Sequence, residues 1–220
     1  THGGKISFTH LIGWAVVESL TEMPSMNVSY TTDDAGRPTA HTPAHVAFGL
    51  AIDIPSPSGE RRLLVPSIKK SDLMDAAGFV AAYEDLVAKA RKGKLEVDDF
   101  RGTTVTLTNP GMIGTLHSVP RLMPGQGLIV GVGSMSYPAA FAGSSEQTLA
   151  RSGVGKVVTL TSTYDHRVIQ GAASGEFLRL VEHKLLGLDG YWDRVFESLR
   201  IPHEPVRWAR DTTYDPELET

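Results

Sequence analysis

Ser162-Thr163-Tyr164-Asp165-His166-Arg167-Val168-Ile169-Gln170-Gly171 is the stretch on which the reading of this chain turns. A β-prone run, Lys156 to Thr163, feeds into it, and an apolar helical period, Ala172 to Leu186, leaves it. A strand that ends in Asp-His-Arg and passes at once into a helix presents an imidazole at a sheet edge, where ligands reach it. Histidine is the side chain whose unperturbed pKa lets it take and return a proton near neutrality. Taken alone, the same residues fit a solvated turn equally well, so the surroundings have to decide.

Working back from that stretch, Leu128 to Val132 reads as a buried strand, and Thr103 to Thr108 as another that stops at Asn109-Pro110-Gly111. The spacing predicts the longest helix from a cap at Ser71 or Asp72 to about Lys92. Gly93 closes it, and Lys89, Arg91 and Lys92 complement the dipole. Val46 to Ile54 reads as one continuous apolar strand, joined by a loop to Arg62 to Pro66. Ile6 to Met23 reads as a first helix capped by Thr9, buried on much of its circumference and stopped by Pro24. Met26 to Thr31 is strand-like and the next seven residues form a turn, while Pro138 to Gly153 reads as a surface hairpin loop. A short helix over Tyr191 to Leu199 follows the last long one. Strands and helices mix without regular alternation, which predicts an α+β fold with a mixed β-sheet and packed helices. The expected domain covers 1–200, and 201–220 read as an extended tail or linker.

The formal net charge of −4 gives no basic face, so no nucleic-acid partner is expected. Cysteine is absent, which removes disulfides, thiolate metal sites and a Cys nucleophile, and is compatible with a cytoplasmic location. No apolar run has the length of a bilayer span, so no membrane partner is expected. His41 and His45 lack a third ligand at metal spacing, so no metal is expected.

The second informative stretch runs from Thr106 to Pro120: Thr-Leu-Thr-Asn-Pro-Gly-Met-Ile-Gly-Thr-Leu-His-Ser-Val-Pro. It puts a hydroxyl, Thr108, at a strand end and then glycines that permit close backbone approach. Together with Asp165-His166-Arg167-Val168-Ile169-Gln170-Gly171 it resembles the acyltransferase (dihydrolipoamide succinyltransferase) catalytic domain of 2-oxo acid dehydrogenase complexes, which is chloramphenicol acetyltransferase-like in fold. The resemblance extends to Ala90-Arg91-Lys92-Gly93-Lys94-Leu95 and to Pro124-Gly125-Gln126-Gly127-Leu128-Ile129-Val130-Gly131. It is strongest for the actinobacterial branch in which this domain precedes a thiamine diphosphate-dependent part, as a fused 2-oxoglutarate dehydrogenase/decarboxylase of the citric acid cycle.

The resemblance implies succinyl transfer between dihydrolipoamide and coenzyme A, with His166 as base and the Thr108 hydroxyl as oxyanion donor. It implies a trimer whose active sites lie between subunits. Hydroxyls at Thr115 and Ser118 are then contacts for the succinyl carboxylate, and His117 lines the channel. A further His of some succinyl enzymes aligns with Gly133. No Lys stands in a lipoyl-attachment hairpin, so dihydrolipoamide is expected on a lipoyl domain of another polypeptide. Thiamine diphosphate and magnesium belong to the fused dehydrogenase part. A strand and helix of the family domain are expected upstream of Thr1, outside this chain. Arg61-Arg62 and Lys69-Lys70 fit either coenzyme A phosphates or plain surface charge. The family's Asp four residues after the His is Gln170 here. A carboxylate restored there is expected to be neutral or harmful, for want of a cation. Two alternatives stay open: acetyl transfer, and a catalytically weak assembly scaffold.

Overall fold

The computed structural model describes residues 6–55 and 59–202; the predicted tail therefore lies almost wholly outside the described residues. α1 spans Phe8–Glu22. Ser7, not Thr9, caps it: the Ser7 hydroxyl accepts from the His10 N–H, and His10 Nδ1 accepts from the Ser7 N–H. The sequence offered two hydroxyls, and Thr9 has another use, described below. Ile12, Ala15, Val16, Val17 and Leu20 are all buried, and a helix apolar on so many sides has to be surrounded. It lies against α2 (Ala76–Arg91) and α4 (Gly171–Leu185). Gly13 permits the approach, since a Cβ there would sit 3.1 Å from the Phe79 ring. Phe79 meets Phe48 edge-on at 5.5 Å and Trp14 at 5.6 Å, a three-ring contact that ties α1 and α2 to the sheet.

That sheet has five strands: β3 (Phe48–Leu50), β6 (Ser67–Ile68), β7 (Val105–Thr108), β8 (Leu128–Val132) and β9 (Leu160–Tyr164). Their order is β6-β3-β7-β8-β9, with β3, β7 and β8 parallel and the two outer strands antiparallel. Two hairpins stand beside it, β1 (Ser29–Thr32) with β2 (Pro38–His41), and β4 (Ile52–Pro55) with β5 (Arg61–Leu64). Side chains alternate across a strand. Val105, Leu107, Leu128, Val130 and Val132 enter the helix-covered core, so Thr106, Thr108, Ile129 and Gly131 face the other way. The α+β expectation is met.

Three boundaries differ from the reading above. The run Val46 to Ile54 is two strands, divided at Ala51, because Phe48–Leu50 is buried in the sheet whereas Asp53 leaves it to pair with Arg61. Asp72 does not cap α2: its carboxylate accepts from the Val46 N–H at 2.8 Å and lies 2.9 Å from His45 Nδ1. Residues Ser71–Leu73 form a 3-10 turn, and Asp75 caps the helix instead, accepting from the Gly78 N–H at 2.8 Å. Gly93, at φ +64°, closes α2 as expected. The presumed loop 138–153 contains α3 (Glu146–Arg151), capped by Ser145 and anchored by buried Leu149.

α5 (Tyr191–Ser198) completes the helical layer, its buried Tyr191 donating to the Leu11 carbonyl at 2.6 Å. Lys184 of α4 is fully buried between Glu22, Glu18 and Asp189. Burial works to lower its pKa, but the hydrogen bonds and charges of Glu22 and Asp189 outweigh this and hold it above the ordinary lysine value. Among the described residues no helix is long and apolar enough to cross a membrane.

Candidate active site

β9 delivers His166. Its last residue, Tyr164, pairs with Leu128, and the chain then turns: the Asp165 N–H donates to the Gly127 carbonyl, and the Val168 and Ile169 N–H groups donate back to the Asp165 carbonyl. Ile169 is buried and pins this turn to the core. The Asp165 carboxylate accepts from the Arg167 guanidinium at 2.6 and 2.9 Å, which holds it below the usual carboxylate range. The Arg167 guanidinium also lies 3.6 Å over the Tyr30 ring, so the β1–β2 hairpin braces the turn. Between these braced neighbours His166 is exposed, its ring 5.4 Å from that of Tyr164. It opens on a cleft of about 470 Å³ walled by Tyr30, Met123, Gln126, Tyr164 and Arg167.

The Thr108 loop gathers at the other end of β8. Thr108 pairs with Gly131, and the loop folds back over this strand end. A Cβ on Gly131 would lie 2.9 Å from the Ser118 hydroxyl, and one on Gly133 would lie 1.9 Å from the Leu116 carbonyl oxygen. No side chain fits at Gly133 unless the loop moves. The Ser118 carbonyl accepts from the Thr161 hydroxyl, and the Thr115 carbonyl accepts from the Ser134 N–H. The Ser118 hydroxyl itself is buried without a partner. His117 is exposed on the same loop. Thr9 takes up its second role here: its hydroxyl accepts from Asn109 at 2.7 Å, so the start of α1 steadies the residue next to Thr108.

Within one chain, then, Thr108, Thr115 and Ser118 come together, and His166 does not join them. Gly131 and Leu128 are separated by about 10 Å of strand, and His166 lies two residues beyond the partner of Leu128. The basic candidates are also elsewhere. Arg61 is paired with Asp53, and Lys69 donates to Ser67 and the Arg101 carbonyl.

Residues 1–188 match the catalytic domain of the 2-oxoacid dehydrogenase acyltransferases. The chain belongs to this family. It is 58% identical over 96% of its length to the 2-oxoglutarate dehydrogenase E1/E2 component of Corynebacterium glutamicum, and equally to a multifunctional 2-oxoglutarate metabolism enzyme of Mycobacterium sp. (strain JLS). It spans only 17% and 16% of those two proteins. Among solved acyltransferases, the dihydrolipoamide acetyltransferase of Azotobacter vinelandii superposes with TM-score 0.70 at 28% identity, over 86% of this chain and 72% of that one. Its catalytic mechanism has been studied at a Ser, a His and an Asn four residues after the His. The cubic core of a pyruvate dehydrogenase multienzyme complex agrees equally well, with TM-score 0.70 at 28% identity and the same coverage.

Gln170 stands at the corresponding spacing from His166 in this acyltransferase domain. It occupies the N-cap of α4 with extended backbone, is exposed, and makes no side-chain cap bond. An Asp at this position would therefore not be a buried charge in the single chain. Gln170→Asp should stabilise the fold by about 0.5–1 kcal/mol, since Asp is a preferred cap and Gln is not. Thermal unfolding should show a rise of about 1–4 °C; an unchanged or lower midpoint would contradict it. Three wall residues, Tyr30, Met123 and Gln126, carried no site role in the sequence. Tyr30 sat in a run read as strand-like but given no site role, and Gln126 lay inside a quoted motif, a lone polar side chain between two glycines before an apolar strand.

Proposed function

We propose that this domain transfers a succinyl group between dihydrolipoamide and coenzyme A, within a larger 2-oxoglutarate-oxidising protein. The observation that carries the reading is the placement of His166 and Thr108 at opposite ends of one strand. Two groups so far apart cannot serve one thioester within a chain, and they suit a site completed by a neighbouring copy in a trimer. The 58% identity to 2-oxoglutarate enzymes supports the choice of acyl group.

The chemistry then follows. His166 takes the proton of the incoming thiol, and the thiolate attacks the thioester carbonyl carbon. The resulting oxyanion accepts a hydrogen bond from the Thr108 hydroxyl of the neighbouring copy. Collapse breaks the bond to the departing sulfur, which recovers the proton from the imidazolium. Dihydrolipoamide arrives on a lipoyl domain of another polypeptide. Thiamine-dependent chemistry belongs to parts of the larger protein outside this chain. A transfer assay with succinyl- and acetyl-coenzyme A on dihydrolipoamide tests the reading. Equal catalytic efficiency for the two would refute the succinyl preference, and a higher efficiency with acetyl-coenzyme A would favour acetyl transfer, the activity named for the Azotobacter neighbour.

Ser118 supplies a sharper check. A buried hydroxyl without a partner costs stability; the Ser118 hydroxyl is sealed in the single chain, so a succinyl carboxylate would satisfy it only after a small shift of the loop. Ser118→Ala should leave the melting temperature unchanged or slightly raised. It should lower efficiency with succinyl-coenzyme A about tenfold while sparing acetyl-coenzyme A. An equal fall for both substrates would remove Ser118 from the acyl pocket.

A further inference from the structure

The wall of the His166 cleft holds a polar side chain that the transfer mechanism leaves unused. Gln126 is only 5% exposed, and Thr106, on the Thr-bearing face of β7, only 1%. The Thr106 hydroxyl donates to Gln126 Oε1 at 2.8 Å. This bond fixes which way the carboxamide faces, because its oxygen is held toward the sheet and its nitrogen must point away. A terminal amide nitrogen has two hydrogens to place. Among the described residues no protein acceptor takes them, and Nε2 is not sealed among the buried unpaired atoms. Since Gln126 lines the cleft with His166, its small exposed surface opens there. The loop is also held in place: Asp165, next to His166, donates to the carbonyl of adjacent Gly127. A lone, aimed donor in a cleft of this size is the kind of group that orients a ligand.

We infer that Gln126 binds the thiol substrate by donating from Nε2 to an amide carbonyl of the arm that carries the sulfur. This rests on the proposed transfer between thiols. Both thiols have such an arm, the pantetheine of coenzyme A and the lipoyl amide, and the cleft must admit whichever one His166 deprotonates. Thr106 is a positioning residue, acting only through the carboxamide it holds.

The test is equilibrium binding of coenzyme A and of dihydrolipoamide, measured by calorimetry on the intact protein, beside the transfer assay. The variants are Gln126→Met, which keeps length and removes the donor, and Thr106→Val with Gln126→Met, which leaves no orphaned hydroxyl. Both should weaken binding of one thiol about threefold to tenfold, the weight of one neutral hydrogen bond, and spare the other. Loss confined to coenzyme A assigns the pantetheine carbonyl, and loss confined to dihydrolipoamide assigns the lipoyl carbonyl. Unchanged affinity for both thiols overturns the inference. So does a loss seen in Gln126→Met and absent from the double variant, which would trace to the unpaired Thr106. A wild-type protein that binds both thiols without transferring an acyl group defeats the proposed function alone; one that binds neither defeats both.

Discussion

Replacing His166 by Ala is expected to lower acyl transfer about a hundredfold to ten-thousandfold, the range over which a positioned proton acceptor contributes. The fold should not register the change. His166 is exposed, its only ring contact among the described residues is with Tyr164 at 5.4 Å, and the turn that carries it is held by the Asp165, Ile169 and Arg167 contacts rather than by the imidazole. Melting temperature should therefore match wild type while turnover collapses. Thr108→Ala should cost less, about a hundredfold, since one donor to an oxyanion is lost and the thiol is still deprotonated. Single-turnover transfer from succinyl-coenzyme A measures both. Turnover near wild type in the His166→Ala protein would end the general-base account.

Gly127→Ala is expected to be the most damaging single-atom addition to the cleft. A Cβ there would lie 1.7 Å from the Val28 carbonyl oxygen and 2.9 Å from its carbon. Both are backbone atoms, so no rotamer change relieves the clash. Either the β1 approach or the loop that ends at Gly127 must move. Overpacking of this kind costs about 1–3 kcal/mol and sometimes more, which for a chain of this size lowers the melting temperature by about 2–12 °C. Catalysis should fall as well, even well below the transition, because the Gly127 carbonyl holds Asp165 beside His166. Gly175 of α4 is the contrast: nothing lies within 4 Å of its added Cβ. Gly175→Ala should stabilise by about 0.5–1 kcal/mol through helix propensity alone. Differential scanning calorimetry on the pair distinguishes steric from backbone effects; equal midpoints would refute the clash.

Much of this architecture was legible in the residues. β8 occupies Leu128–Val132 as read, because a continuous apolar run bounded by glycines leaves little choice. The end of α2 at Gly93 was equally plain. What failed were choices among equivalent local signals. Ser7 and Thr9 are both good caps, and Asp72 and Asp75 both carry carboxylates. Only the distant Asn109 and Val46, which claim Thr9 and Asp72, decide between them. The division at Ala51 was hidden for the same reason, since one apolar run conceals two strands with different neighbours. In the site, the motifs marked His166 and the Thr108 loop but not the distance between them. That distance is set by strand register, and register is a property of pairs of segments. Gln126 was passed over because its meaning comes from Thr106, twenty residues upstream.

The spacing of Thr108 and His166 along β8 also has a genetic reading. If each working site takes its imidazole from one copy and its hydroxyl from the next, lesions in the two residues damage different halves of the site. An allele lacking His166 and an allele lacking Thr108 would each be severely impaired alone. Expressed together and mixed at random, half the interfaces draw a sound His and half of those also draw a sound Thr, so about one in four is whole. Growth restored by two impaired alleles would then count shared sites in living cells.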